Sequence, residues 1–141
     1  MRVFYDTPVL VAAILEDHEH HDPSFAAFSS ANTRSSSCGA HNIAEVYVTL
    51  TKYPGKQRLS EQQALLAISA IEHRLKIVAL DAVEYVASIR RFANIGITGG
   101  TIYDGLIAAS ALKAKADVLY TWNVSHFLLL GDEVARKVRT P

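Results

Sequence analysis

Short apolar runs bounded by turn residues alternate along the chain with longer segments in which apolar residues recur at helical spacing. The short runs predict strands at residues 2–6, 35–38, 76–80, 118–121 and near Val138. The longer segments predict helices at residues 8–15, 23–30, 42–53, 60–75, 82–94 and 101–116. Strands that alternate with helices are typical of an α/β domain. We therefore predict one domain over residues 1–141, with a central, mostly parallel sheet and helices on both faces.

Polar residues at the starts of these helices are predicted to cap them. Thr7 precedes Pro8, which suits a first helical turn, and Ser60 and Asp81 precede two later helices. Asn42 with Glu45, and Thr101 with Asp104, have capping-box spacing. The apolar stripes are expected to face the core; they comprise Leu65, Ile68 and Leu75 in one helix and Ile43, Val46, Tyr47 and Leu50 in another.

Three carboxylates each stand alone in a long stretch without another Lys, Arg, Asp or Glu. Asp6 is the only charge between residues 2 and 16, Glu45 between 34 and 52, and Asp104 between 91 and 113. A fourth stretch, residues 118–131, has no acid but carries Asn123. An acid among core-forming residues is seldom an ordinary surface charge, because buried charges are normally paired or bound to a metal.

The predicted topology brings these four positions together. Asp6 and Asn123 follow predicted strands, while Glu45 and Asp104 lie in first helical turns. Functional groups of parallel sheets collect beyond the carboxyl ends of the strands. Carboxylates around one cleft repel each other, and a hard cation such as Mg²⁺ relieves that repulsion. The matching chemistry is metal-assisted hydrolysis of phosphodiester bonds, in which Asn123 can orient a water or act as a ligand. The small residues Gly105, Ala108 and Ala109 would let the Asp104 helix approach the sheet closely.

Each of these residues also has a local explanation. Asp6 can be a turn residue, and Glu45 and Asp104 can be helix caps. The rival metal site combines His18, His20 and His21 with Asp22, since His18 and Asp22 have i, i+4 spacing, although a solvated turn between helices explains it too. His126 can be a surface residue or a general base near Asn123, and Cys38 a buried thiol without a partner base.

Composition narrows the classes of protein. The chain has 141 residues, of which 50% are hydrophobic and 20% charged, so it is expected to fold without disulfides. Its single cysteine and the short apolar run at residues 9–15 fit a cytoplasmic protein without a membrane span or signal peptide. A net charge of zero argues against tight, non-specific coating of nucleic acid. Lys52, Lys56 and Arg58, just after the Glu45 helix, are candidate RNA contacts.

Four segments of the chain are similar to the motifs of a known family. Residues 4–12 (FYDTPVLVA) contain Asp6, 42–46 (NIAEV) contain Glu45, 99–109 (GGTIYDGLIAA) contain Asp104, and 120–127 (YTWNVSHF) contain Asn123. Together they resemble the PIN-domain ribonucleases, and within that family the VapC-type toxins of toxin–antitoxin pairs. Many members have Asp where this chain has Asn123, which bears on the number of bound metals more than on the reaction.

The resemblance implies a single PIN-like domain that acts as a Mg²⁺- or Mn²⁺-dependent endoribonuclease on structured RNA such as tRNA or rRNA. It implies a homodimer, and an antitoxin protein whose tail covers the cleft. Asp6, Glu45 and Asp104 would hold the metal or its waters, with Asn123 as a further catalytic residue and Thr7 in support. Two alternatives remain open: a catalytically weak PIN-like module that binds RNA or protein, and phosphotransfer through an aspartyl phosphate at Asp6.

Overall fold

The computed structural model describes all 141 residues and contains five strands and eight α-helices. The strands are β1 Val3–Tyr5, β2 Ser36–Gly39, β3 Lys76–Val78, β4 Val118–Tyr120 and β5 Val138–Arg139. The helices are α1 Thr7–Ile14, α2 His21–Ser29, α3 Ala40–Lys52, α4 Glu61–Arg74, α5 Ala82–Ala93, α6 Thr101–Lys113, α7 Val124–Leu128 and α8 Asp132–Ala135. A 3-10 turn at Gly55–Gln57 follows α3. None of the helices is long and apolar enough to cross a lipid bilayer.

All five strands are parallel and lie in the order β3-β2-β1-β4-β5. The predicted α/β class is confirmed, and the sheet is more uniform than the mostly parallel sheet expected. β1 is central, so the chain that leaves it at Asp6 lies between the ends of β2 and β4. The backbone N–H of Asp6 donates to the carbonyl of Tyr120 at 2.9 Å. The helices α3 and α7 begin close after those two neighbouring strands.

Apolar side chains form one core on each face of the sheet. Tyr5 belongs to the core shared with helices α1 to α4, whereas the adjacent Phe4 belongs to the core shared with α5 to α8. Successive side chains of a strand point to opposite faces, so this short strand contributes to both cores. Both cores fix the direction of β1 and therefore the position of Asp6 at its end.

Two predicted caps are correct and three are not. Ser60 and Asp81 accept hydrogen bonds from the backbone N–H groups of Gln63 and Glu84. The first helix is capped by Asp6 rather than Thr7, α3 by Gly39 rather than Asn42, and α6 by Gly100 rather than Thr101. Thr7 lies inside its helix and its hydroxyl bonds to another element, as described below. The prediction for Leu65 is also wrong: it is 56% exposed, and α4 buries Ala64 and Ile71 instead.

Gly105 allows close packing of α6, but against α5 and not against the sheet as the sequence suggested. A Cβ atom placed on Gly105 would lie 2.7 Å from Cδ2 and 3.1 Å from Cγ of Phe92, whose side chain is fully buried. Real carbon atoms do not approach this closely, so the ring would have to move within a packed core. The sheet contact of α6 comes from further along the helix, where Ser110 lies near Gly39.

We predict that Gly105→Ala lowers the free energy of unfolding. Overpacking costs about 1–3 kcal/mol and the gain in helix propensity is about 1 kcal/mol; because the added Cβ would lie 2.7 Å from a fully buried ring, we expect the upper part of that cost and a net loss of about 2 kcal/mol. The measurement is urea denaturation. Gly100→Ala is the matched control, because Gly100 has a φ of −65° and no atom near its added Cβ. Equal stability of the two variants would contradict this packing account.

Candidate active site

Asp6 lies buried at the carboxyl end of the central strand. Its side chain accepts a hydrogen bond from the Thr121 hydroxyl at 2.7 Å on Oδ2, and one from the Asn42 amide at 3.3 Å on Oδ1. No basic side chain forms an ion pair with it. Burial raises the pKa of Asp6 to about 7, the hydrogen bond from Thr121 counteracts part of this rise, and the charges of Glu45 and Asp104 add to it. The protein therefore buries a carboxyl group without any cation of its own to balance the charge.

Asn42 connects three parts of this site. Its side chain is fully buried, and its oxygen accepts from the backbone N–H of Gly39 at 2.8 Å. Its amide nitrogen donates to Asp6 and, at 3.0 Å, to the hydroxyl of Thr7. Both ends of the amide are thus fixed, which sets the distance between the start of α3 and the end of β1.

Glu45 projects from α3 toward the same place. Its Oε1 accepts a hydrogen bond from the Thr7 hydroxyl at 2.7 Å, and its Oε2 lies 3.6 Å from Nε2 of His41. Its side chain is 34% exposed, while Val46 and Leu50 of the same helix are buried in the core. Glu45 therefore faces the cleft and does not reach back to cap its own helix.

Asp104 reaches the site from the first turn of α6. Its side chain makes no capping hydrogen bond, so the capping interpretation is wrong here as well. Burial raises its pKa, the neighbouring His126 ring lowers it in part, and the charge of Glu45 raises it further. The Nδ1 atom of His126 lies 3.5 Å from Oδ2 of Asp104. Asp6 and Asp104 therefore both have a raised pKa.

These side chains line one cleft of about 540 Å³. Asp6, Glu45, Asp104 and Asn123 all contribute to its wall, together with Thr7, His18, His41 and Tyr53. The structure thus brings together the four residues that lie far apart in the sequence. Their chemical roles stay predictions, because no three His, Cys, Asp or Glu side chains are already arranged to hold a metal ion.

The donor set of the cleft fits a hard divalent cation. It offers carboxylate oxygens and the amide of Asn123, and no thiolate, since Cys38 is buried elsewhere in the core and burial raises its pKa to about 12. Mg²⁺ and Mn²⁺ prefer such oxygen ligands. A cation among these groups would also offset the repulsion that helps to raise the pKa values of Asp6 and Asp104.

The histidine turn does not form the rival site. The ring of His20 stacks on Trp122 at 3.8 Å between centroids, and Nδ1 of His21 lies 2.8 Å from the carbonyl of Ala12. His18 lines the cleft and accepts a hydrogen bond from the backbone N–H of His20. Because the three rings serve different contacts, the i, i+4 pairing of His18 with Asp22 has no structural counterpart.

Sequence reasoning missed two contributors to the site. Thr121 is fully buried, donates to Asp6, and accepts from the backbone N–H of Asn123 at 2.9 Å, so it links β1 with the segment after β4. His41 lies beside Glu45 and stacks on Tyr103 with ring centroids 5.5 Å apart. The position of Thr121 at the end of a strand, two residues before Asn123, was the available signal.

Comparison with known proteins gives consistent matches. The family model of the PIN domain matches residues 3–124. Ribonuclease VapC40 of Mycobacterium tuberculosis is 33% identical over 114 residues, which cover 81% of this chain and 81% of that protein. Ribonuclease VapC27 of the same species is 27% identical over 113 residues, covering 80% of this chain and 79% of the relative.

Solved structures share the fold. VapC20 of Mycobacterium tuberculosis, described as a sarcin–ricin loop cleaving toxin, has a TM-score of 0.70 at 13% identity and covers 88% of this chain and 92% of its own. A chain of VapBC2 from Rickettsia felis, bound to a DNA fragment from its promoter, has a TM-score of 0.64 at 19% identity, with coverage of 99% and 98%. FitAB bound to a DNA fragment has a TM-score of 0.66 at 21% identity, with coverage of 98% and 94%.

The buried carboxyl group of Asp6 predicts a pH-dependent stability. Its pKa is about 7 in the folded chain against 3.8 ordinarily, so the folded state holds the extra proton between these values. Stability should therefore fall as pH rises from about 4 to about 7, and level off above. Asp6→Asn removes this titration. Near pH 8 in EDTA, its free energy of unfolding should exceed that of the wild type by about 2–4 kcal/mol, whereas near pH 4 it should not.

The measurement is urea denaturation across this pH range. Asp17→Asn is the matched control, because Asp17 is exposed and lies outside the cleft. Parallel pH profiles for the wild type and Asp6→Asn would show that Asp6 does not carry a buried, destabilising charge.

Proposed function

The chain belongs to the PIN domain family, and from this premise we propose that it is a metal-dependent endoribonuclease that hydrolyses RNA phosphodiester bonds. The observation that carries the proposal is the convergence of Asp6, Glu45 and Asp104 from three elements on one cleft. The names of its relatives, Ribonuclease VapC40 and Ribonuclease VapC27, support the same activity. Residues 1–141 act in this proposal as a single catalytic domain.

Asp6, Glu45 and Asp104 would hold Mg²⁺ or Mn²⁺, directly or through its waters. The bound metal would supply Lewis-acid chemistry, namely activation of water and neutralisation of the charge that develops on the phosphate. Asp6 is fixed by Thr121 and Asn42, so its oxygens have little freedom to turn away. Thr7 orients Glu45 by its 2.7 Å hydrogen bond. These hydrogen bonds restrict the side chains of Asp6 and Glu45, and such restriction before the substrate binds favours electrostatic stabilisation of the transition state.

Asn123 orients the attacking water or supports a ligand. It is exposed at the cleft wall and its side chain has no hydrogen-bond partner within the chain, so it is free to contact solvent or substrate. It adds no negative charge, which leaves three acids for the metal. His126, beside Asp104, is placed to exchange a proton with solvent near the same atoms. Asp6 is too well buried and hydrogen-bonded to serve as a phosphate-accepting nucleophile, which disfavours the phosphotransfer alternative.

The substrate we propose is a structured cellular RNA of the tRNA or rRNA class. VapC20, whose fold is similar, is described as cleaving the sarcin–ricin loop. Basic residues next to the cleft can contact the phosphates. Tyr53 lines the cleft and its carbonyl accepts a hydrogen bond from Nε of Arg58 at 2.9 Å, which supports Arg58, with Lys52 and Lys56 of the same segment, as RNA contacts.

In the cell we propose that the chain is the toxin of a type II toxin–antitoxin pair. Its structural neighbours include the VapBC2 and FitAB complexes, which supports an antitoxin partner whose tail covers the cleft. A homodimer in the cytoplasm completes this proposal. Exposed apolar side chains on α5, among them Val83 and Val86, are available for a protein contact.

We predict that Asp104→Asn abolishes Mg²⁺- or Mn²⁺-dependent cleavage of RNA, with a fall in rate of about 100-fold or more. The fold should persist, because Asp104 caps no helix and the substitution removes a repulsive charge. The assay uses purified protein and total RNA with increasing Mg²⁺ or Mn²⁺, and EDTA as the metal-free reference.

Asp132→Asn, an exposed acid in the first turn of α8, is the control and should cleave normally. Full activity of folded Asp104→Asn would contradict the role of Asp104. Absence of cleavage by the wild type with either metal, together with retained RNA binding, would favour the alternative of a catalytically weak binding module.

We also predict that reversing the charges of Lys56 and Arg58 weakens RNA cleavage at moderate salt. Each lost phosphate contact reduces binding and its dependence on salt. The measurement is KM for RNA cleavage by Lys56→Glu/Arg58→Glu at two salt concentrations. An unchanged KM would remove these residues from the RNA-binding surface.

A further inference from the structure

A second large pocket lies at the amino-terminal edge of the sheet, opposite the carboxylate cleft. We call it the basic pocket; its volume is about 500 Å³, and five of its thirteen lining residues are basic while none is acidic. These five are Arg2, Arg34, Lys76, Lys113 and Lys115. In a chain with 14 basic and 14 acidic residues, this is a marked local excess of positive charge.

Four of these cations are available to a ligand. Lys113 is not, because its Nζ lies 2.6 Å from Glu84 and also donates to the carbonyl of Ala79. The other four form no ion pair in the chain. Thr33 and Ser37 line the same wall, and their hydroxyls add neutral donors. Cations and hydroxyls on a concave surface suit phosphate oxygens.

The carboxyl end of α6 borders the pocket and acts against an anion, but its effect is small. A helix terminus carries about half an elementary charge. Four unpaired full charges exceed this severalfold. The net field in the pocket therefore favours a negatively charged ligand.

Lys115 gives independent support. It is the only residue other than glycine with a positive φ, at 56°. Its backbone N–H bonds to the carbonyl of Leu112 and that of Ala116 to Ala111, which is the hydrogen-bond pattern of a Schellman motif. Glycine suits this left-handed position best, and another residue costs about 1 kcal/mol there. Lysine thus occupies a position where the backbone favours glycine, and it lines the basic pocket.

The basic pocket and the cleft both border a third pocket. A smaller pocket of about 180 Å³ shares His41 with the cleft and shares Val78 and Ala79 with the basic pocket. Tyr85 lines this connecting pocket and is 42% exposed, and Tyr103, stacked on His41, is 50% exposed. Exposed aromatic rings followed by cations form the usual surface for single-stranded nucleic acid, with bases on the rings and phosphates on the cations.

We propose that RNA flanking the scissile bond leaves the cleft past His41 and Tyr85 and enters the basic pocket, where Arg2, Arg34, Lys76 and Lys115 bind its phosphates. This proposal rests on the proposed ribonuclease function and extends it to a second contact region for the same RNA. The path runs the length of the strands, which at three or four residues is about 10–13 Å. It therefore needs only a few nucleotides beyond those held in the cleft.

The test measures RNA binding apart from cleavage. Asp104→Asn protein with Mg²⁺ is titrated with labelled single-stranded RNA of about 20 nucleotides, long enough for both regions, and of about four nucleotides, which fills the cleft alone. Adding Arg34→Glu and Lys76→Glu should weaken binding of the long RNA by about tenfold or more. The slope of log K against log salt should fall by about 0.7 for each lost contact. Binding of the short RNA should stay the same.

Two further variants separate this site from general charge and from folding. Arg90→Glu/Arg136→Glu makes the same change of charge outside the basic pocket and should bind the long RNA nearly as before. Lys115→Gly removes one cation but relieves the left-handed backbone, so it should weaken binding of the long RNA without lowering the free energy of unfolding.

The outcomes distinguish this proposal from the proposed function. Cleavage by the wild type with unchanged long-RNA binding by Arg34→Glu/Lys76→Glu would overturn the basic-pocket path and leave the ribonuclease intact. A parallel titration with ADP tests a small phosphorylated ligand as the occupant. ADP binding by the wild-type pocket that is lost in Arg34→Glu/Lys76→Glu, with RNA binding unchanged, would assign the pocket to such a ligand and overturn the path. If Arg34→Glu/Lys76→Glu weakens RNA binding but the wild type cleaves no RNA, the path would be upheld and the ribonuclease activity rejected.

Discussion

The structure depends on the burial of one carboxyl group without a cation from the chain itself. Asp6 ends the central strand, where both cores hold the backbone in place. Its oxygens contact the hydroxyl of Thr121, the amide of Asn42 and the backbone N–H of Thr7, and none of these carries a charge. Neutral donors do not balance a negative charge, so its pKa rises to about 7 and the folded state is less stable than it could be. A bound divalent cation would remove that cost, which links the stability of this domain with its proposed activity.

The same parallel sheet separates the charges of the molecule. Groups that follow the strands form an acidic cleft, whereas groups that precede them form the basic pocket. The chain has no net charge, but each end of the sheet has a strong field of its own. An acidic cleft alone repels RNA. A metal in the cleft and the cations of the basic pocket would together offset that repulsion along one RNA strand. Composition cannot reveal such a separation because it averages over the two ends.

The meeting of the lone acids in one cleft could be predicted from the sequence, because topology alone decides where strand ends meet. Once the strands are parallel, Asp6 and the segment of Asn123 must share an edge, and helices that begin there bring Glu45 and Asp104 to it. The caps at Thr7 and Asn42 were wrong because a short polar side chain can bond locally or across the fold, and spacing does not distinguish the two. Asn42 and Asp6 are 36 residues apart in sequence. The basic pocket was missed because its cations come from four separate segments.

The central claim is that Asp6, Glu45 and Asp104 together bind one divalent cation. The most direct measurement is anomalous diffraction from crystals of the protein soaked in Mn²⁺. We predict a peak in the cleft at about 2.0–2.3 Å from carboxylate oxygens of Asp6 and Asp104, with Glu45 in contact directly or through one water. A peak at the histidines near residue 20 instead, or no peak in the cleft at a saturating concentration of Mn²⁺, would contradict the account.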